Sequence, residues 1–142
     1  MNDMRIMLVD DNAELRRSLR ESLSHQEGMR IVAECGTGLE ALETLDKTEV
    51  DAIVLDIIMP QMDGYGVLEQ LMTMKLGKKP GVIALTALGR DDFITRAINL
   101  GACYYMVKPF DFSILTKALS SFSDTPFSHT MISDICTLLT LQ

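Results

Sequence analysis

Short apolar runs alternate with stretches whose apolar residues recur every three or four positions, and the alternation repeats five times across residues 4–122. The first run, residues 4–9, reads as a strand that stops at Asp10-Asp11. Asn12 suits an N-cap, and Leu15, Leu19 and Leu23 recur at every fourth position, which predicts a helix with one buried face. Arg16, Arg17 and Arg20 fall off that face and are expected in solvent. A second strand, 31–35, leads through Gly36-Thr37-Gly38 into a helix with Leu39, Leu42 and Leu45 on its core side. The third strand, 52–55, delivers Asp56, and residues 57–64 form a loop punctuated by Pro60 and the turn pair Asp63-Gly64. The next helix points Val67, Leu68, Leu71 and Met72 inward. After a turn at residues 78–81, a fourth strand, 82–85, ends at Thr86, and a helix with Phe93, Ile94, Ala97 and Ile98 inward stops at Gly101. A fifth strand, 103–107, ends at Lys108-Pro109, and the last helix carries Leu115, Ala118, Leu119 and Phe122.

Strands that are apolar almost throughout, alternating with helices, imply a parallel sheet covered on both faces. Right-handed crossovers leave few arrangements, and the expected fold is α/β, a flavodoxin-like doubly wound five-stranded parallel sheet in the order 2-1-3-4-5. Residues 1–122 are expected to form this domain. Residues 123–142 read differently: Ser-Asp-Thr-Pro looks like a linker, and Met131, Ile132, Ile135, Leu138 and Leu139 suit one face of a short helix. That tail is open to three readings: the start of an output domain, a helix that packs in trans, or residues foreign to the domain.

Composition narrows the setting. A chain of 142 residues, 47% apolar and 23% charged, suits one globular domain with a substantial core. No apolar run is long enough to span a bilayer, and the stretch before Asp10 is too short for a signal peptide, so the expected location is cytoplasmic. Cys35, Cys103 and Cys136 are widely spaced and odd in number, which favours buried reduced thiols over disulfides or zinc. His25 and His129 stand alone. A net charge of −7 opposes direct nucleic-acid binding, so any DNA contact must come through an output domain not present here.

The chemistry gathers at strand ends. Asp10, Asp11, Asp56, Thr86 and Lys108 each follow a predicted strand. In a doubly wound sheet those ends share one rim, and ligands bind there at the switch point in strand order. In the order 2-1-3-4-5, Asp10-Asp11 faces Asp56 across that point. Carboxylates held close together repel unless a cation joins them, and oxygen ligands with open positions suit Mg²⁺, which also accepts a phosphate oxygen. A lysine ammonium and a threonine hydroxyl complete a cradle for a phosphoryl group, with one carboxylate as nucleophile. Each residue alone has a plainer explanation, such as a helix cap or a surface lysine. The set at successive strand ends does not.

Asp10-Asp11 after a strand, LDIIMPQMDG around Asp56, Thr86-Ala87 and Lys108-Pro109-Phe110 resemble the receiver domain of two-component response regulators. Gly38, Glu40 and Ala41 fit that family's second helix start. LDIIMPQMDG together with TALGRDDFITRAINLGACYYMVKPFD is most similar to the receivers of sporulation-initiation master regulators of endospore-forming bacteria. The resemblance implies that Asp56 takes a phosphoryl group from a histidine kinase or histidine phosphotransferase, a self-catalysed switch and not a turnover enzyme. It implies Mg²⁺ on Asp11, Asp56 and the carbonyl of Ile58, with Asp10 acting through water or on a larger ion such as Ca²⁺; Mn²⁺ suits the same site. It further implies that Lys108 pairs with the acyl phosphate, that Thr86 and Tyr105 are the switch pair, and that Lys108-Pro109 is cis. The resemblance also implies an output face on the fourth helix, fifth strand and fifth helix, often a homodimer surface in the family, where Arg90, Asp91, Asp92, Arg96, Asp111 and Lys117 either bring charge pairs or are simply solvated helix faces. Ile58 and Leu88 are apolar where the family often has polar groups, so a long-lived phosphorylated state is expected.

Three other functions compete. Gly36-Thr37-Gly38-Leu39-Glu40-Ala41 fits a dinucleotide-binding fingerprint, with Asp56 about 20 residues on. That fingerprint normally sits on the first strand, and it leaves Asp10, Asp11, Thr86 and Lys108 without a role. A phosphohydrolase with an aspartate nucleophile needs an acid two residues later, where this chain has Ile58. A pseudo-receiver that binds partners without phosphorylation has no use for an intact site.

Overall fold

The computed structural model describes residues 3–87 and 89–122. Five strands, β1 (Met4–Val9), β2 (Met29–Cys35), β3 (Ala52–Asp56), β4 (Gly81–Thr86) and β5 (Tyr104–Val107), alternate with five helices. The helices are α1 (Ala13–Ser24), α2 (Gly38–Lys47), α3 (Gly64–Thr73), α4 (Asp91–Asn99) and α5 (Phe112–Ser120). All strand pairs are parallel and the order is β2-β1-β3-β4-β5, as the alternation predicts. β2 begins before the expected Ile31, because Met29 pairs with Met4 and Arg30 with Arg5.

The sheet separates two cores. Met7, Val9, Ile53, Leu55 and Ala84 point to one face, where they meet Ala41 and Leu45 of α2, Val67, Leu68 and Leu71 of α3, and Ala97 of α4. Ile6, Leu8, Val54, Ile83 and Leu85 point to the other, against Leu19 and Leu23 of α1 and Leu115, Ala118 and Leu119 of α5. Successive strand side chains alternate between faces, so only a strand apolar at every position can serve both layers.

The helix caps follow the sequence. The Asn12 side chain accepts hydrogen bonds from the Glu14 and Leu15 amides, Thr37 from Glu40, Asp63 from Gly66 and Asp111 from Ser113. Four side chains depart from the predicted helix faces. Leu39, Met72 and Ile98, expected in the core, are exposed. The buried stripe of a helix covers only part of its circumference, and in α2 it passes through Gly38, Ala41 and Leu45, one residue away from Leu39. Arg16, expected in solvent, is largely covered and hydrogen-bonded to the backbone of Asp10. Cys35 is a buried thiol as expected, but Cys103 is exposed, since it precedes β5 instead of lying in it. Leu88, Cys136, His129 and the tail lie outside the described residues. Among the described residues no helix is long and apolar enough to cross a membrane.

Candidate functional site

The carboxyl ends of β1, β3, β4 and β5 bring Asp10, Asp11, Asp56, Thr86 and Lys108 to one rim. Asp10, Asp56 and Thr86 are the buried polar residues among those described, a costly arrangement without partners. The partners are present. Lys108 Nζ donates to Asp10 Oδ2 at 2.9 Å and lies 3.5 Å from Asp56 Oδ1. The other Asp10 oxygen accepts from the Asn12 amide at 2.8 Å, and the Asp10 amide donates to the Cys35 carbonyl at 3.0 Å. Asp11 is exposed beside them.

Each of the three aspartates offers one oxygen, and these oxygens lie within 4.8 Å of one another. Oxygen donors at about 2.0–2.6 Å are what Mg²⁺ and Ca²⁺ require, and a spread of this size suits direct bonds from some carboxylates and a water-mediated one from another. The charge balance also fits a cation. Burial, and then the charge of Asp10, push the Asp56 carboxyl up to about 6, while Lys108 and the Ile58 amide pull it down. One lysine does not compensate for three carboxylates.

Behind this cluster, Thr86 is fully buried and its side chain bonds to the Tyr105 hydroxyl. Burial pushes that phenol up to about 12, against the opposite pull of the Thr86 hydrogen bond, so it stays protonated at neutral pH. Tyr105 already points inward here, in contact with Thr86. Tyr65, which the sequence reading did not single out, packs beside it and donates through its hydroxyl to the Phe93 carbonyl of α4 at 3.1 Å. The Arg96 guanidinium stacks 4.2 Å over the Tyr65 ring and approaches Glu69 at 3.9 Å. Arg96 thus touches α3 from α4 while its side chain stays more than half exposed, and Arg90 approaches Asp92 at 3.5 Å on α4 itself, both exposed. An aromatic in the first turn of α3 is too ordinary a feature to flag from sequence. The Lys108-Pro109 bond is cis, as the resemblance implies. Ile58 is 51% exposed at the rim of the site.

The Gly36-Thr37-Gly38 segment does not form a phosphate cradle. Thr37 caps α2, and a Cβ on Gly38 would lie 2.7 Å from the Met62 carbonyl oxygen, so this glycine lets α2 approach the loop after β3. Nothing in this packing supports a dinucleotide site.

A doubly wound parallel sheet with three aspartates, a lysine and a hydroxyl gathered at its switch point is an α/β protein with a candidate cation site on one rim. The chain belongs to the response regulator receiver domain family, whose sequence model matches residues 6–120. The signal receiver domain of the response regulator NarL from Mycobacterium tuberculosis shares the fold, with a TM-score of 0.81 at 24% identity, covering 89% of this chain and 100% of that one. A chain of the CheX–CheY–BeF3–Mg²⁺ complex from Borrelia burgdorferi is similar at 28% identity and a TM-score of 0.74, covering 87% of this chain and 92% of that one. The response regulator domain of Thermotoga maritima CheB is similar at 26% identity and a TM-score of 0.74, covering 85% and 94%. Receiver domains are phosphoacceptor switches of two-component systems; they bind Mg²⁺ through an acidic pocket and interact with histidine kinases or phosphotransfer proteins.

Proposed function

We propose that Asp56 is the phosphoacceptor of this receiver. The observation that carries the reading is the pairing of a buried Asp56 carboxylate with Lys108 on one side and Asp10-Asp11 on the other, all at the switch point of the sheet. A carboxylate oxygen of Asp56 attacks the phosphorus of a phosphohistidine, the P–N bond breaks, and the electron pair leaves with the imidazole nitrogen, which takes a proton from solvent. The product is an acyl phosphate on Asp56. Asp11, Asp56 and the Ile58 carbonyl would hold Mg²⁺ directly, with Asp10 acting through water or on a larger ion such as Ca²⁺; Mn²⁺ would fit the same donors. When bound, the ion neutralises charge on the transferring phosphoryl oxygens.

The remaining residues orient and neutralise. Lys108 moves its ammonium from the Asp10–Asp56 pair onto a phosphoryl oxygen. The Thr86 hydroxyl turns toward another, and doing so alters its bond to Tyr105. That change reaches α4 through Tyr65 and biases the α4–β5–α5 surface toward one of two packings, which is a population shift and not a mechanical push. Arg90, Asp91, Asp92, Arg96, Asp111 and Lys117 on that surface could supply charge pairs across a homodimer. DNA contact belongs to a separate output domain. The segments around Asp56 and Lys108 support a place among sporulation-initiation regulators, and faster phosphotransfer from a sporulation-type histidine phosphotransferase than from an unrelated one checks it.

Intact-mass measurement after treatment with acetyl phosphate and Mg²⁺ tests the central point. One added phosphoryl group is expected on the wild-type chain and none on Asp56→Asn. Unmodified wild type overturns the assignment and favours a pseudo-receiver, whereas modification that survives the substitution overturns it by placing the phosphoryl group on another residue.

A further inference from the structure

We propose that Arg16 is a positioning residue for the acidic turn: it fixes the peptide of Asp10, and thereby the cation site, from the first turn of α1. This rests on the reading of Asp10-Asp11 and Asp56 as the cation and phosphoacceptor site. Arg16 Nη1 donates to the Asp10 carbonyl oxygen, while Nε approaches Glu34 Oε1 of β2 at 3.8 Å. Nε is also the one buried side-chain nitrogen or oxygen without a hydrogen-bond partner among the described residues. A buried donor left unsatisfied costs on the order of 1–3 kcal/mol. A helix surface has no need of such a cost, and it points to a guanidinium held in place for another purpose.

The surroundings agree. Gly36, which follows β2, lies against the guanidinium: a Cβ there would stand 3.4 Å from Arg16 Nη1, an ordinary van der Waals contact. Glu34 is gripped more tightly by Arg20, whose Nη1 donates at 2.7 Å, so the ion pair with β2 does not depend on Arg16. What Arg16 alone reaches is the backbone of Asp10. With its amide bonded to Cys35, its carbonyl to Arg16 and its carboxylate to Asn12 and Lys108, the Asp10 peptide has no freedom to rotate Asp10 or Asp11 away from Asp56.

The test compares Arg16→Met with Arg20→Met, both of which remove a guanidinium near Glu34 while only the first loses the Asp10 contact. Mn²⁺ affinity is read by electron paramagnetic resonance, with Mg²⁺ as competitor, and folding is followed by circular dichroism. Arg16→Met is expected to weaken both ions by about tenfold, within the range for residues that orient metal ligands, with phosphorylation recovered at saturating Mg²⁺. Arg20→Met is expected to leave ion affinity within twofold of wild type. Should Arg16→Met not fold, Arg16→Lys, which keeps the charge but loses the planar fork, gives the same reading at smaller amplitude. Unchanged ion affinity in the folded Arg16 variant overturns the proposal, as does an equal loss in both variants. A wild-type chain that binds neither ion overturns the underlying site instead, so the two failures are distinguishable.

Discussion

Asp56 carries the clearest conflict between stability and chemistry. In the folded chain its carboxyl ionises near 6, above the ordinary 3.8, chiefly because burial penalises the charge. The folded state therefore binds more protons than the unfolded one between those values, and stability falls as pH rises through that window. The penalty is on the order of 1–3 kcal/mol. Asp56→Asn removes that penalty. It is expected to raise unfolding free energy at pH 7.5, with the gain shrinking to nothing below pH 4; chemical denaturation across pH checks this. A destabilised Asp56→Asn at neutral pH contradicts it. Ile58 tests the other end of the cycle. Its half-exposed side chain puts apolar surface two residues after Asp56, and apolar cover there would hinder the water that hydrolyses an acyl phosphate. Ile58→Asn is expected to shorten the lifetime of the phosphorylated form severalfold, followed by mass spectrometry after removal of acetyl phosphate.

The loop between β3 and α3 shows how an element sets a site. Gly64 donates its amide to the Ile57 carbonyl at 2.7 Å, and a Cβ there would stand 2.6 Å from the Asp56 carbonyl oxygen. Both contacts are with backbone, which cannot yield without moving Asp56 itself. Gly64→Ala is expected to cost about 1–3 kcal/mol and to weaken Mg²⁺ binding, whereas Gly77→Ala, with nothing within 4 Å, should do neither. Urea unfolding and ion titration of the two variants make the comparison. The helices themselves were legible because their apolar spacing is regular and four of the five carry a side-chain N-cap, α4 being the exception. Their exact faces were not. Leu39, Met72 and Ile98 look as apolar as their buried neighbours, and which of them is covered depends on how close a neighbouring element approaches.

The two layers of helices lock a charged rim into an apolar frame, so ligand and fold are linked. An ion that binds only the folded chain stabilises it by about 2.7 kcal/mol at a concentration 100 times its Kd. Thermal unfolding is therefore expected to shift upward with Mg²⁺, and Asp11→Asn to remove most of the shift; a Tm that ignores Mg²⁺ in the wild type contradicts the site. The same frame links the rim to α4, through Thr86, Tyr105, Tyr65 and the Tyr65–Phe93 bond. Arg96 lies over the Tyr65 ring at 4.2 Å from the solvent side of this path, its side chain still more than half exposed.

Strand order, the alternation of layers and the gathering of Asp10, Asp11, Asp56, Thr86 and Lys108 were settled by the chain alone. Apolar strands between amphipathic helices admit few parallel sheets, and every chemically active residue sits at the same end of its strand. Contacts between residues far apart in the chain were decided only by packing. Arg16 lies on the polar side of α1 by periodicity, yet the end of β2 closes over it. Tyr65 is one aromatic among several until α4 is laid against α3. Periodicity reports which way a side chain leaves its own element, and it carries no information about what another element places there.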